Sequence, residues 1–94
     1  MYAFIVNPNS RSGLGLKIWG KLELILKERH IDYQIYFTRY PGHGAKLAAQ
    51  ICDTDADTLV VLGGDGTIGE VVGGIRDLTK LTLAYIPIGS GNDF

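Results

Sequence analysis

The sequence predicts an α/β fold: a parallel sheet of about four strands flanked by helices. Three observations predict it. Short apolar, β-branched runs alternate with segments whose apolar residues recur at helical spacing, the connections between them are short, and each strand end runs into a small-residue or polar loop. Ala3 to Val6 is an apolar strand broken by the loop Asn7-Pro8-Asn9-Ser10-Arg11-Ser12-Gly13. A helix follows, with Ile18, Trp19, Leu22, Ile25 and Leu26 on one face and Lys17, Lys21, Lys27 and Glu28 turned to solvent. His30 is placed to cap the end of this helix. Tyr33, Ile35 and Phe37 alternate in a second strand ending at Thr38. Pro41-Gly42-His43-Gly44 leads into a second helix, whose Ala45, Ala48, Ala49 and Cys52 are small enough to lie close on a sheet. Thr58 to Leu62 is the third strand, Ile68, Val71, Val72 and Ile75 mark the third helix, and Thr82 to Ile86 is the fourth strand. The order βαβαβαβ implies right-handed crossovers and a three-layer, Rossmann-like arrangement.

Ninety-four residues allow one domain, which buries somewhat over ~60% of its unfolded surface. Nine Lys and Arg against ten Asp and Glu give a net charge of −1, which argues against a nucleic-acid partner and makes any anion site local. No apolar run approaches the ~18 residues that span a bilayer. The first residues lack the charged region of a signal peptide, and Cys52 has no partner for an internal disulfide; it reads as a buried thiol. A cytoplasmic setting is expected. His30 and His43 lack a metal-ligand spacing, and Trp19, Tyr40 and Tyr85 read as core or rim.

In a parallel sheet, ligands bind outside the carboxyl ends of the strands. Asn7 to Gly13, Thr38, Gly63 to Thr67 and Gly89 to Asn92 all fall on that edge. The most informative of these loops is Gly63-Gly64-Asp65-Gly66-Thr67, a strand-to-helix turn. Its glycines let a bulky anion approach the backbone, and the N–H groups of the opening helix favour negative charge. A turn alone also accounts for part of the segment, because Thr67 and Glu70 match a capping box. It does not account for Asp65, which would repel a phosphate unless a cation stood between them.

In order along the chain, Asn7-Pro8 with Ser12-Gly13, Thr38 with Pro41-Gly42-His43, Gly63-Gly64-Asp65-Gly66-Thr67 with Glu70-Val71, and Gly89-Ser90-Gly91-Asn92-Asp93-Phe94 resemble the diacylglycerol kinase catalytic domain, whose superfamily includes bacterial lipid kinases and sphingosine kinases. The resemblance covers the whole chain. Gly-Gly-Asp-Gly-Thr is shared with NAD kinases and, in variant form, with phosphofructokinases; the closing Gly-Ser-Gly-Asn-Asp-Phe is the discriminating piece. The resemblance implies transfer of the ATP γ-phosphate to a lipid hydroxyl such as that of diacylglycerol, with Mg2+. It further implies that Asn7, Ser12 and Gly13 line the nucleotide and Thr38 donates a hydroxyl to phosphate. Gly63, Gly64, Asp65, Gly66 and Thr67 would wrap the phosphates, Asp65 would reach Mg2+ through water, and Ser90 would supply a further hydroxyl. Glu70 is equally a site residue and a helix cap.

Gly69 stands where the family commonly has a polar residue, and a lengthened first loop leaves Ser10 and Arg11 without a family role. The family continues beyond the position of Phe94 with a β-rich domain that contributes the lipid pocket and general base. Residues 1–94 are therefore expected to be the N-terminal ATP-binding domain, holding no catalytic base and inactive in isolation. Its lipid substrate would be met at a membrane surface, with the protein cytoplasmic or peripheral to that membrane. The apolar positions around Leu83, Tyr85 and Phe94 predict self-association. The alternatives are a NAD kinase-like enzyme of the same superfamily and a non-catalytic nucleotide-binding module.

Overall fold

A computed structural model describes residues 1–77 and 79–88. The elements run β1 (Tyr2–Val6), α1 (Leu14–Glu28), β2 (Tyr33–Phe37), α2 (His43–Cys52), β3 (Thr58–Gly63), α3 (Asp65–Gly74) and β4 (Thr82–Pro87). All four strands are parallel, in the order β2-β1-β3-β4. The expected α/β architecture is thus the observed one, with strand bounds within a residue of the sequence reading. Because β1 is followed in space by β2 on one side and β3 on the other, the order reverses between β1 and β3, the point where such sheets open a crevice.

The period-two alternation of the central strands divides the core. Ala3, Ile5, Leu59 and Val61 face one side and pack with Leu47, Ala48 and Ile51 of α2 and Val71 of α3. Phe4, Val6, Val60 and Leu62 face the other and pack with Trp19 and Leu26 of α1. Trp19 is 3% exposed, its ring 5.0 Å from that of Phe4 and edge-on to Tyr33 at 5.6 Å, so the expected core placement holds. Burial of both faces explains why β1 and β3 read as nearly continuous apolar runs.

His30 ends α1 as expected, through its backbone. At φ 55° it takes the left-handed position after the helix, its N–H bonds to the Lys27 carbonyl, and that of Ile31 bonds to Leu26. This is a Schellman arrangement with His in the place usually taken by Gly.

Three expectations are corrected. Ile25 is not on the buried face: it is 47% exposed, because it falls at the outer edge of the apolar arc while Leu26 takes the inward position. Cys52, in the last turn of α2, is half-buried. The capping box does not form, since α3 begins at Asp65 and Thr67 therefore lies inside the first turn.

Candidate functional site

The carboxyl edge of the sheet is held by backbone bonds that prolong the strands. Asn7 N–H bonds to the Leu62 carbonyl, Thr38 N–H to Val6, and Ile88 N–H to Gly63. Asn7, Thr38 and Gly64 are therefore set side by side at the ends of β1, β2 and β3. Two cavities open there and share Asn7, Gly66 and Thr67. One, of about 350 Å³, is bounded also by Asn9, Thr38 to Pro41 and Glu70. The other, of about 440 Å³, is bounded also by Ser10, Arg11, Gly64, Asp65 and Ile88.

At the start of α3, the first intrahelical bond is Ile68 N–H to the Gly64 carbonyl, and Gly64 supplies no side-chain cap. The N–H groups of Asp65, Gly66 and Thr67 have no hydrogen-bond partner among the described residues. These are the orphan donors of a helix start, at its positive end. A Cβ built on Gly64 or Gly66 would meet nothing within 4 Å, and neither residue has a positive φ. The fold itself does not require glycine at either position. Gly69 and Gly73 are equally open but border neither cavity. Gly63 is different: its Cβ would come within 2.8 Å of Thr67, so packing alone requires this glycine.

The side chains nearby are mutually braced. Asn7 Nδ2 donates to Thr67 Oγ1 at 3.4 Å, and Asn7 Oδ1 accepts from Asn9 N–H at 3.1 Å. Glu70, one turn beyond Thr67, reaches across to α2. Its Oε2 accepts from Gly42 N–H at 2.9 Å and its Oε1 from Gly44 N–H at 3.2 Å. Glu70 is thus a helix cap, but for the neighbouring helix, and it borders the first cavity at the same time. Asp65 is exposed at the mouth of the second. Beside it the Tyr85 hydroxyl donates to the Gly63 carbonyl at 3.2 Å; burial first, then the Asp65 carboxylate, push this phenol above its ordinary range.

Of the expected site residues, Asn7, Thr38, Gly64, Asp65, Gly66, Thr67 and Glu70 border the cavities, and Gly63 lies directly behind them. Ser12 and Gly13 border neither; with Arg11 they form a run of left-handed residues, φ 52°, 56° and 96°, that turns the loop into α1. Ser90 lies outside the described residues. Sequence reasoning put Ser10 and Arg11 on this edge without a role, read Tyr40 as core or rim and left out Arg39; all four line the cavities. Two of these are cations within two residues of predicted site positions, which is the signal that was there to read. Tyr40 belongs to the rim, stacked on His43 at 4.4 Å.

No group of three or more His, Cys, Asp or Glu residues is placed to hold a metal among the described residues. A single exposed carboxylate beside open N–H donors suits Mg2+ that keeps most of its water and is shared with phosphate, not a cage made by protein alone.

The diacylglycerol kinase catalytic domain model matches residues 1–94. Over 94 residues the chain is 37% identical to the "Putative lipid kinase YtlR" of Bacillus subtilis (strain 168), covering 97% of this chain and 30% of that protein. It is 32% identical over 91 residues to a diacylglycerol kinase of Staphylococcus saprophyticus, covering 96% and 30%. A solved "putative diacylglycerol kinase from Bacillus anthracis str. Sterne" superposes with a TM-score of 0.81 at 33% identity, covering 99% of this chain and 34% of that one. The chain spans about a third of the length of these relatives. It belongs to the diacylglycerol kinase catalytic domain family.

Proposed function

We propose that this chain is the ATP-binding half of a lipid kinase that transfers the ATP γ-phosphate to a lipid hydroxyl such as that of diacylglycerol. The observation that carries the reading is the start of α3: consecutive unpartnered N–H groups, with Gly64 and Gly66 opening space above them that the fold does not need. Polyphosphate fits that surface, because it accepts several hydrogen bonds at once and is favoured by the helix end. Thr38 and Asn7 border the same cavity and would orient the nucleotide, and Asp65 would hold Mg2+ through water. The metal, when bound, would offset the charge of the phosphates. Since no Lys follows the glycine loop, backbone N–H groups carry the protein's share of this work. The acceptor pocket and general base are assigned to a further, β-rich domain, consistent with the share of each relative that this chain covers.

Gly64→Val tests the reading. A β-branched side chain at an extended residue with open surroundings leaves the fold intact but fills the space assigned to phosphate. Calorimetry with Mg-ATP should show binding by the wild type, weak in this half alone, and none by the variant. Equal binding by both would remove the phosphate cradle. In the longer protein, radiolabel from ATP should appear on diacylglycerol; label on NAD instead would move the chain to the other branch of the superfamily.

A further inference from the structure

We propose that Tyr85 is a positioning residue of the nucleotide site, whose hydroxyl fixes the turn into α3 and holds Asp65 beside the open N–H donors. This deepens the lipid-kinase reading and rests on it. Tyr85 lies in β4 beside Val61 of β3, on the face where Leu83 joins the core. An aliphatic side chain would cover that face equally well, yet Tyr85 stays 36% exposed and carries its hydroxyl past Val61 to the end of β3. There it donates to the Gly63 carbonyl at 3.2 Å. Strand pairing does not require this bond, because the Ile88 N–H already reaches the same carbonyl at 2.8 Å. The phenol is a second donor on the peptide that leads into Gly64.

Asp65 is the group that gains from it. This carboxylate is exposed at the first position of α3 and borders the cavity where the open N–H groups begin. Left alone it would turn among its rotamers in water, and the entropy of fixing it would be lost from binding. Tyr85 is close enough to prevent this: after burial, Asp65 raises the phenol both by charge and by hydrogen bonding. One hydroxyl proton is thus shared between the Gly63 carbonyl and the Asp65 carboxylate. Tyr85 borders neither cavity, so it acts through Asp65 and not by touching the nucleotide. Outer groups of this kind set the direction of a metal-binding carboxylate while leaving its metal-facing oxygens free.

Tyr85→Phe is the test, since it keeps the ring and removes the hydroxyl; thermal unfolding serves as the control for the fold. In the nucleotide-free chain, the NMR couplings about χ1 of Asp65 should report one rotamer in the wild type and an average in the variant. Release of Asp65 among its three staggered wells should weaken Mg-ATP binding by about threefold in calorimetry. In excess chelator the variant should bind ATP as the wild type does. In an Asp65→Asn background, Tyr85→Phe should bring no further loss, because the group it acts through is gone. A hydroxyl that served stability alone would lower binding alike with and without metal, or not at all, and either result would overturn the proposal. So would additive losses in the double variant. Mg-ATP binding by the wild type with the same Asp65 couplings in both proteins would remove this role and leave the kinase reading standing. Couplings that average in the variant, with no nucleotide bound by either protein, would keep the hold on Asp65 and sink the kinase reading.

Discussion

Two of the three helices that begin at the carboxyl edge of this sheet, α2 and α3, treat their first N–H groups differently. At α2 every donor is used: Gly42 and Gly44 give theirs to Glu70, His43 bonds to the Tyr40 carbonyl, and Ala45 bonds to Gly42. At α3 the donors of Asp65, Gly66 and Thr67 are left open. Both helix ends carry the same partial positive charge. What separates them is one carboxylate, sent from the body of α3 to take two of the α2 donors, and two backbone carbonyls that take the others. The comparison teaches that a helix end is an anion site only where the protein has not already supplied the anion. Of the two, only α3 has first-turn donors left without a partner among the described residues.

The comparison breaks most directly at Glu70. Glu70→Ala would leave two N–H groups at the start of α2 without partners and should cost about 2 kcal/mol. Glu70→Gln keeps one acceptor oxygen and should lose about half of that. The variant's α2 would then resemble α3, so sulfate should raise the melting temperature of Glu70→Ala more than that of the wild type. Thermal unfolding with and without sulfate reads both effects. No loss of stability would mean that the bonds to Gly42 and Gly44 contribute nothing.

A smaller effect is expected where the two helices touch. A Cβ on Gly74 would collide with the Ala45 carbonyl oxygen and come within 2.8 Å of its carbon, so the last turn of α3 lies hard against the first turn of α2. Gly74→Ala should destabilise by about 1–2 kcal/mol, the overpacking outweighing the gain in helix propensity. Gly69→Ala, in the same helix but facing open space, should stabilise by up to about 1 kcal/mol. Urea unfolding of the pair distinguishes a glycine that packing needs from one it does not. Equal effects at the two positions would show that helix propensity alone decides.

These contrasts also mark how far the sequence could be read. The strands were legible because β-branched runs such as Thr58 to Leu62 belong to strands whichever neighbour they pair with, and the Gly63 to Thr67 turn because its chemistry is local. Glu70 was half legible. Its spacing from Thr67 suggested a cap, but its actual partners lie 26 and 28 residues away, and only the packing of α3 on α2 brings them within reach. Ile25 failed for a similar reason, since both edges of an apolar arc satisfy the helical period and only the sheet decides which one is covered. Gly64 could be singled out from its motif, but that a Cβ there would meet no protein atom within 4 Å is a fact of three dimensions.

Asp65 sharpens the comparison from the other side, because it sets a negative charge next to the open donors. If it acts through Mg2+, Asp65→Asn should weaken Mg-ATP binding by roughly fivefold. In excess chelator the same variant should bind ATP equally well or better, since a bare carboxylate beside phosphate repels it. Calorimetry under the two conditions decides. An equal loss in both would leave Asp65 as a turn residue.

The smallest effect is read at Tyr85, which reports the charge at this helix start without any ligand. Burial raises its phenol first, and the Asp65 carboxylate raises it further by charge and by hydrogen bonding. A group whose folded pKa lies above its unfolded value favours the fold while it is protonated. That contribution is whole below the ordinary phenol range and is lost as pH climbs through the raised value. Near neutral pH, Asp65→Asn should therefore leave any Tyr85 contribution intact, and the difference should emerge only in alkali. Ultraviolet titration, with Tyr85→Phe to identify the signal, should find this phenol ionising above the ordinary phenol range. In Asp65→Asn it should move part of the way down, stopping short of the ordinary value because burial remains. Mg2+ held near Asp65 should move it in the same direction by cancelling the charge. A Tyr85 titration indifferent to both the substitution and the metal would separate Asp65 from the start of α3, leaving the open N–H groups to bind anions without its help.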